Sequence, residues 1–198
     1  MAAGLAIGYT PDELKSKILE TKLLTLAFDF SWEKGGLLKG SKVRSVLEAI
    51  FGGKTFADTK YPLIIGATDY ATGDRVNICE GSLVDAIQAS LSVPLLFTPF
   101  YHPTLKCYCV DGGLSHNFPV DLAVQRYAGE KIIGIDVNSS LPDLLDKKGK
   151  MQKISVPNNL QRVFKVFFRN QAIPVDPRVT IIRPELSQFT SFDIFKLE

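Results

Sequence analysis

The 198-residue sequence has no apolar run near the ~18 residues that a membrane-spanning helix needs. It also has no dominant charge, since 23 lysines and arginines against 21 aspartates and glutamates leave a net charge of +2. Such a balance gives no reason to expect nucleic acid as the main partner. The 45% apolar and 22% charged residues are typical of a globular protein and exclude disordered and collagen-like classes. We therefore expect one globular domain over residues 1–198.

Cysteine and histidine are scarce, with three and two residues. Cys107 and Cys109 are two positions apart, which places both on one face of a strand. Together with His102 and His116, the two histidines, these cysteines make a poor set of zinc ligands. Metal ligation is therefore the less favoured alternative. We expect these cysteines and Cys79 to be reduced, and we expect neither metal nor cofactor. The opening residues have no basic signal-peptide start, so we expect a cytoplasmic protein.

Helical spacing alternates along the chain with short apolar runs. The spacing predicts helices over residues 2–7, from Thr10 onward with Leu14, Ile18 and Leu19 inward, and over 43–50, 82–92, 119–127 and 159–168. Strands are predicted at 61–67, 75–78, 107–110, 131–137 and 179–183, with 131–137 the most buried and 138–153 a loop. Strands separated by helices predict a three-layer α/β/α fold around a mostly parallel sheet.

The turn Asp111-Gly112-Gly113 is the first place where chemistry could lie. It puts a carboxylate at the end of a predicted strand, where open α/β sheets place their sites. The two glycines shape the turn, because they remove side chains from the flank of the carboxylate and allow conformations closed to other residues. By itself the tripeptide is more typical of an aspartate that caps local amides.

The stretch before this turn favours a functional role. Residues 80–99 run through Ala89-Ser90-Leu91-Ser92-Val93-Pro94 to Phe97 and Pro99, which closely resembles the helix that precedes the Asp-Gly-Gly motif of patatin-like phospholipases. Further segments resemble the bacterial branch of that family, namely the opening through Gly8-Tyr9-Thr10-Pro11, residues 36–40, Ala67-Thr68-Asp69 with Thr72-Gly73, and residues 182–186. The resemblance covers nearly the whole chain.

The resemblance implies a lipid acyl hydrolase that cleaves carboxylic esters through a Ser-Asp dyad, with phospholipid or another acyl-ester lipid as substrate. Asp111 would be the base that activates the serine, which is otherwise a weak nucleophile. In the family the serine stands on a Gly-x-Ser-x-Gly turn, and that pattern does not occur in these 198 residues. Because Gly8-Tyr9-Thr10-Pro11 matches the step that follows this turn, we expect the chain to begin after its nucleophile. One strand-helix-strand unit of roughly 30 residues would then be missing.

Alternative readings remain beside the hydrolase. The missing serine motivates a noncatalytic lipid-binding or scaffold protein on the same fold, and an α/β domain unrelated to lipids is a weaker alternative. A Ser-His-Asp triad is disfavoured, since His116 lies on the same turn as Asp111, and we expect both histidines in loops or at a pocket rim. Gly53-Lys54-Thr55 is a poor phosphate loop because it follows a helix.

The predicted helix over 159–168 has two interpretations. Its leucine, valine and phenylalanine residues alternate with Arg162, Lys165 and Arg169. The helix could pack on the sheet, which we favour, or lay its apolar face on a membrane while the cations meet headgroups. Peripheral contact with the inner membrane surface therefore stays open.

Overall fold

A computed structural model describes residues 1–20, 36–137, 144–145, 148–169, 171 and 176–186. The chain divides into two compact units, of which the first runs over Met1–His116 and the second begins at Asn117. No helix among the described residues is both long enough and apolar enough to cross a membrane.

The largest sheet of the first unit has four strands in the order β3-β2-β6-β5. These are β2 (Ile65–Asp69), β3 (Arg75–Ile78), β5 (Phe100–His102) and β6 (Cys107–Asp111). Every pairing in this sheet is antiparallel. Two further strands, β1 (Gly36–Leu38) and β4 (Leu95–Phe97), pair in parallel with each other.

The α/β class is confirmed, but a mostly parallel central sheet is not what the described residues show. The reason lies in the connections. Short turns join β2 to β3 and β5 to β6, and short turns can only join antiparallel neighbours. A turn across Thr72-Gly73-Asp74 joins β2 to β3, and their antiparallel register pairs Ile65 with Ile78. Parallel pairing appears where helices intervene between the strands, as between β1 and β4.

Helices of the first unit form close to where the spacing predicts them. They are α1 (Ala2–Ala6), α2 (Pro11–Glu20), α3 (Ser41–Phe51) and α4 (Leu83–Leu91). The four-residue α5 (Gly113–His116) was not predicted. At the start of α2, the Thr10 amide donates to the Glu13 carboxylate at 2.7 Å and the Glu13 amide donates to Thr10 Oγ1 at 3.2 Å. These two contacts form a reciprocal capping box.

One helix-face prediction is wrong. Leu14 is 2% exposed, whereas Leu19, which was expected inward, is 40% exposed. At 100° per residue Leu19 points about 140° away from Leu14, while Ile18 stays within 40° of Leu14 and packs against the core.

Helix α4 organises the core of the first unit. It packs on β2, β5 and β6, and α3 packs on α4 in turn. Leu83, Ala86 and Ala89 of α4 are fully buried, and Ile78 is 2% exposed. Burying a side chain such as Leu83 stabilises the fold by about 1.5–3 kcal/mol. Because α4 packs on β6, this burial also holds β6 in place against the helix.

The second unit contains α6 (Val120–Arg126), β7 (Ile132–Ile135), α7 (Val156–Arg169) and β8 (Val179–Ile182). β7 and β8 pair in parallel. The strand predicted at 131–137 forms, but its burial alternates, and Ile133 and Ile135 are 66% and 62% exposed. A strand with one exposed face is not the doubly buried strand that its apolar run predicted. The predicted loop over 138–153 lies partly outside the described residues.

Candidate functional site

Asp111 is the last residue of β6 and is partly buried. Its Oδ1 accepts a hydrogen bond from the Gly113 amide at 2.6 Å, directly before α5 begins. This is the local capping contact that the tripeptide alone predicted. Within the described residues no hydrogen bond reaches Oδ2. The carboxylate is thus oriented through one oxygen, and the other oxygen can accept a proton.

Burial raises the pKa of the Asp111 carboxyl, because the charged form loses solvation. The hydrogen bond from the Gly113 amide opposes this shift, since it favours the charged form. Burial is the larger effect. A carboxylate with a raised pKa holds a proton more readily than an exposed one, as a general base requires.

Glycine is required at position 112 because the backbones of β6 and β2 approach each other closely there. A Cβ at this position would overlap the Gly66 carbonyl oxygen and lie 2.7 Å from the Gly66 carbonyl carbon on the neighbouring β2. Only glycine allows the chain to turn here while β6 stays paired with β2, where Ala67 is the partner of Asp111. The prediction that Gly112 and Gly113 shape the turn agrees with this geometry, with Gly113 acting through its amide.

The side chains of Thr68 and Ser115 and the main chain of Ser92, to which sequence reasoning gave no role, fix the backbone around Asp111. Thr68 Oγ1 donates to the Asp111 carbonyl oxygen at 2.8 Å and lies 2.8 Å from Ser115 Oγ. The Ser115 amide donates back to Thr68 Oγ1 at 3.2 Å. The Asp111 amide donates to the Ser92 carbonyl oxygen at 3.0 Å, while Ser92 Oγ bonds the Gln88 carbonyl oxygen.

These contacts explain why separate sequence segments accompany Asp111-Gly112-Gly113. Thr68 belongs to Ala67-Thr68-Asp69, and Ser92 belongs to the Ala-Ser-x-Ser-x-Pro stretch. The signal was therefore present in the sequence as spaced segments, although their contacts could only be seen in the fold.

A cavity of about 280 Å³ lies beside this region in the first unit. Its lining mixes a cation, amide and hydroxyl groups with aliphatic and aromatic side chains: Lys39, Gly40, Val43, Gln88, Leu91, Ser92, Phe97, Thr98, Pro99, Phe100, Tyr101 and Tyr108. Asp111 does not line the cavity, but Ser92 does, and its carbonyl holds the Asp111 amide. The back of the lining is fixed by Arg44, which donates to Asp85 at 2.8 Å and to Gln88 at 2.9 Å.

The two histidines lie in different places. The prediction that His102 lies in a loop or at a pocket rim is wrong, because it is the last residue of β5, is 1% exposed and does not line the cavity. Its Nδ1 accepts the Leu105 amide at 3.2 Å, and Nε2 has no hydrogen-bond partner in the described part of the chain. Burial lowers its pKa, with a smaller opposing effect of Asp85. His116 ends α5, one turn after Asp111.

The cysteines are unpaired. Cys107 and Cys109 lie on one face of β6 as predicted, with their sulfur atoms 3.7 Å apart, and Cys79 is exposed. Burial, reinforced by Cys107, raises the pKa of the Cys109 thiol to about 12, which keeps it protonated at neutral pH. Among the described residues no group of three metal-ligating side chains occurs.

The segment Gly53-Lys54-Thr55 adopts a capping turn. It follows α3, and Thr55 starts a short 3-10 helix (Phe56–Asp58) in which the Thr55 amide donates to the Asp58 carboxylate at 2.8 Å. Lys54 pairs with the same carboxylate at 3.5 Å. The lysine and threonine that suggested a phosphate loop thus serve this local turn.

Comparison with known proteins gives a family match. Residues 1–124 match the patatin-like phospholipase family. The chain is also 24% identical over 179 residues to an uncharacterized NTE family protein of Mycobacterium bovis and, at the same identity, to its counterparts in two strains of Mycobacterium tuberculosis. These alignments cover 81% of this chain and 30% of each relative, so the chain spans about a third of the length of the curated relatives it matches.

Proposed function

The chain belongs to the patatin-like phospholipase family, and we propose that its domain hydrolyses carboxylic ester bonds of lipids with Asp111 as the base of a Ser-Asp dyad. The family match and the NTE family relatives support lipid hydrolysis in general. The role of Asp111 rests on its position in this fold.

The observation that carries the proposal is the way Asp111 is held. Its carboxylate stands at the end of β6, with one oxygen bonded to the Gly113 amide and the backbone fixed by Thr68 and Ser92. Burial at this position raises the pKa of the carboxyl, which suits a general base. Gly112 lets the backbone of β6 approach Gly66 of β2 closely, and this contact helps to hold Asp111 at the end of the strand.

The reaction would run in two halves. Asp111 takes the proton of the serine hydroxyl as the serine oxygen attacks the ester carbonyl carbon, and the proton passes to the departing alcohol, which leaves an acyl-enzyme. Asp111 then takes a proton from water as the water attacks the acyl carbon, and returns it to the serine. Amide groups would have to stabilise the negative oxygen in both halves.

The sequence contains no Gly-x-Ser-x-Gly, so the dyad that we propose requires a serine on another segment. We propose that such a segment precedes the match to the family's post-elbow step at Gly8-Tyr9-Thr10-Pro11. Reading the gene ahead of Met1 tests this directly. The absence of that motif there would remove the dyad.

We further propose that residues 1–198 form one three-layer α/β/α domain whose mostly parallel sheet is completed by that segment. The parallel pairs β1-β4 and β7-β8 support this arrangement. The unpaired cysteines fit a reducing compartment, and we place the protein in the cytoplasm with peripheral contact to the membrane that supplies its substrate.

The test uses the chain extended by its upstream segment. We expect this chain to hydrolyse a soluble p-nitrophenyl ester, and Asp111→Asn to lower kcat by at least 10³-fold, since the variant keeps the shape but loses the proton acceptor. Asp12→Asn, which makes the same change at an exposed aspartate in the first turn of α2, is the matched control and should retain most activity. Turnover retained in Asp111→Asn would remove Asp111 from the mechanism.

A noncatalytic lipid-binding or scaffold protein is the second candidate, and the missing Gly-x-Ser-x-Gly favours it for the 198-residue chain taken alone. A fluorophosphonate probe, which labels activated serines, distinguishes the two. Labelling of the extended chain that is lost with Asp111→Asn supports the hydrolase. An extended chain that resists the probe supports the lipid-binding candidate.

A further inference from the structure

A basic stretch in the second unit has no part in the proposed chemistry. Residues 147–169, here called the basic segment, contain seven lysines and arginines and no aspartate or glutamate, although the whole chain has a net charge of only +2. The segment ends in α7, the longest helix in the described part of the chain. Four of the seven cations lie ahead of α7, and three lie on the helix.

Helix α7 exposes apolar side chains along one side. Val163, Val166 and Phe167 are 57%, 39% and 46% exposed, and their spacing aligns them in one stripe. Phe164 and Phe168 lie about 100° further round the helix, are partly buried, and stack with ring centroids 6.0 Å apart. The helix therefore has an inner aromatic side and a separate outer apolar stripe.

Cations border the outer stripe. At 100° per residue, Arg162, Lys165 and Arg169 occupy the arc of α7 that the two apolar sides leave. Ahead of the helix, Lys148, Lys150 and Lys153 are exposed, and Met151 between them is 69% exposed. Exposed apolar side chains beside cations are the pattern of a helix that lies in the headgroup layer of a lipid bilayer.

We propose that the basic segment docks the protein on a lipid surface rich in anionic headgroups, with the outer stripe of α7 inserted among the acyl chains. Charge complementarity selects this occupant. A second copy of the chain would bring seven further positive charges against the first seven, and nucleic acid would leave the apolar stripe in water. The inference rests on the proposed function in one respect, because docking on a lipid surface would bring the protein to its lipid substrate.

The apolar contribution is tested by sedimentation of the 198-residue chain with vesicles of equimolar phosphatidylcholine and phosphatidylglycerol. We expect Val163→Ser together with Phe167→Ser to weaken binding at least tenfold, because both side chains leave water on docking. Both are exposed, so the fold should persist, which circular dichroism checks. The matched control is Tyr61→Ser with Tyr70→Ser, two aromatic side chains of the first unit that are 68% and 58% exposed. Equal binding by all three proteins overturns the docking surface.

The electrostatic contribution is tested by charge reversal. Lys153→Glu with Arg169→Glu should weaken binding to the mixed vesicles at least tenfold, since each cation near an anionic surface contributes measurably. Lys15→Glu with Lys131→Glu makes the same net charge change outside the basic segment and should retain most binding. Wild-type binding should also fall as salt rises and be weak on pure phosphatidylcholine. Binding that ignores lipid charge, or that both reversals weaken alike, overturns the proposal.

Failure of this inference is separable from failure of the proposed function. Vesicle binding is measured without turnover, and soluble ester hydrolysis by the extended chain needs no vesicle. An active chain that does not bind vesicles contradicts the docking surface alone. A chain that binds through the basic segment but never hydrolyses esters supports docking and contradicts the hydrolase.

Discussion

Hydrogen bonding and burial of the carboxylate have opposite effects on stability at Asp111. Its amide, its carbonyl oxygen and one carboxylate oxygen are all hydrogen bonded, yet its carboxylate is buried enough to raise its pKa. The hydrogen bonds stabilise the turn, whereas the buried charge destabilises it. A residue kept under these opposing effects is a candidate for function, because strain of this kind is concentrated at functional sites.

This opposition predicts the stability of Asp111→Asn. A carboxyl whose pKa folding raises above its ordinary 3.8 binds more protons in the folded state, so the free energy of unfolding falls as pH rises through that window. Asparagine carries no charge and keeps an oxygen for the Gly113 amide. We expect the variant to be at least as stable as the wild type at pH 7, with the difference shrinking below pH 4. Urea unfolding across this pH range measures it, and a variant that loses stability as pH rises would contradict the prediction.

At the scale of elements, local chemistry was predictable and long-range contacts were not. The capping box at Thr10 and Glu13 could be read directly, since both partners lie within one turn. Helix α5 was missed because four residues give no periodicity. The exposed side of β7 was missed because an apolar run indicates burial without showing how many neighbours a strand has.

The candidate site shows the same division. Asp111 and its two glycines could be found from their position after a predicted strand and from the family resemblance. The contacts of Thr68 and Ser92 with Asp111 join residues that are 43 and 19 positions apart, so no local pattern reveals them. His102 was misplaced for a related reason, because a strand of three residues is too short for its alternation to be read.

The close approach of β2 and β6 gives a prediction for these elements. Gly112→Ala would force a Cβ into the Gly66 carbonyl group, and we expect it to lower the free energy of unfolding by about 1–3 kcal/mol and to displace Asp111. The matched control is Gly66→Ala on the facing strand. A Cβ there meets nothing within 4 Å, so its stability should stay within about 0.5 kcal/mol of wild type or rise. Chemical denaturation compares the two, and equal stabilities would contradict the close packing.

For the whole molecule, the candidate site and the basic segment lie in different units. The first unit holds the candidate site and the cavity, together with the partly buried Asp111, whose pKa is raised, and the buried His102, whose pKa is lowered. The second unit holds the basic segment and its exposed apolar stripe. Chemistry and proposed membrane docking are thus assigned to different parts of the chain, which lets each be changed while the other is measured.

The response of the whole fold to acid follows from His102. Because burial lowers its pKa below the ordinary 6.5, the unfolded state binds more protons than the folded state once pH drops below that value, and stability falls with pH. His102→Asn keeps an acceptor for the Leu105 amide but cannot be protonated. We expect the variant to be less stable at pH 7, because a smaller side chain leaves a cavity, yet to lose less stability than wild type between pH 6.5 and 5. Thermal melting at both pH values measures this slope. Parallel slopes in the two proteins would show that groups other than His102 govern the acid response. Asp111 would not be one of them, because its raised pKa favours the folded state as pH falls.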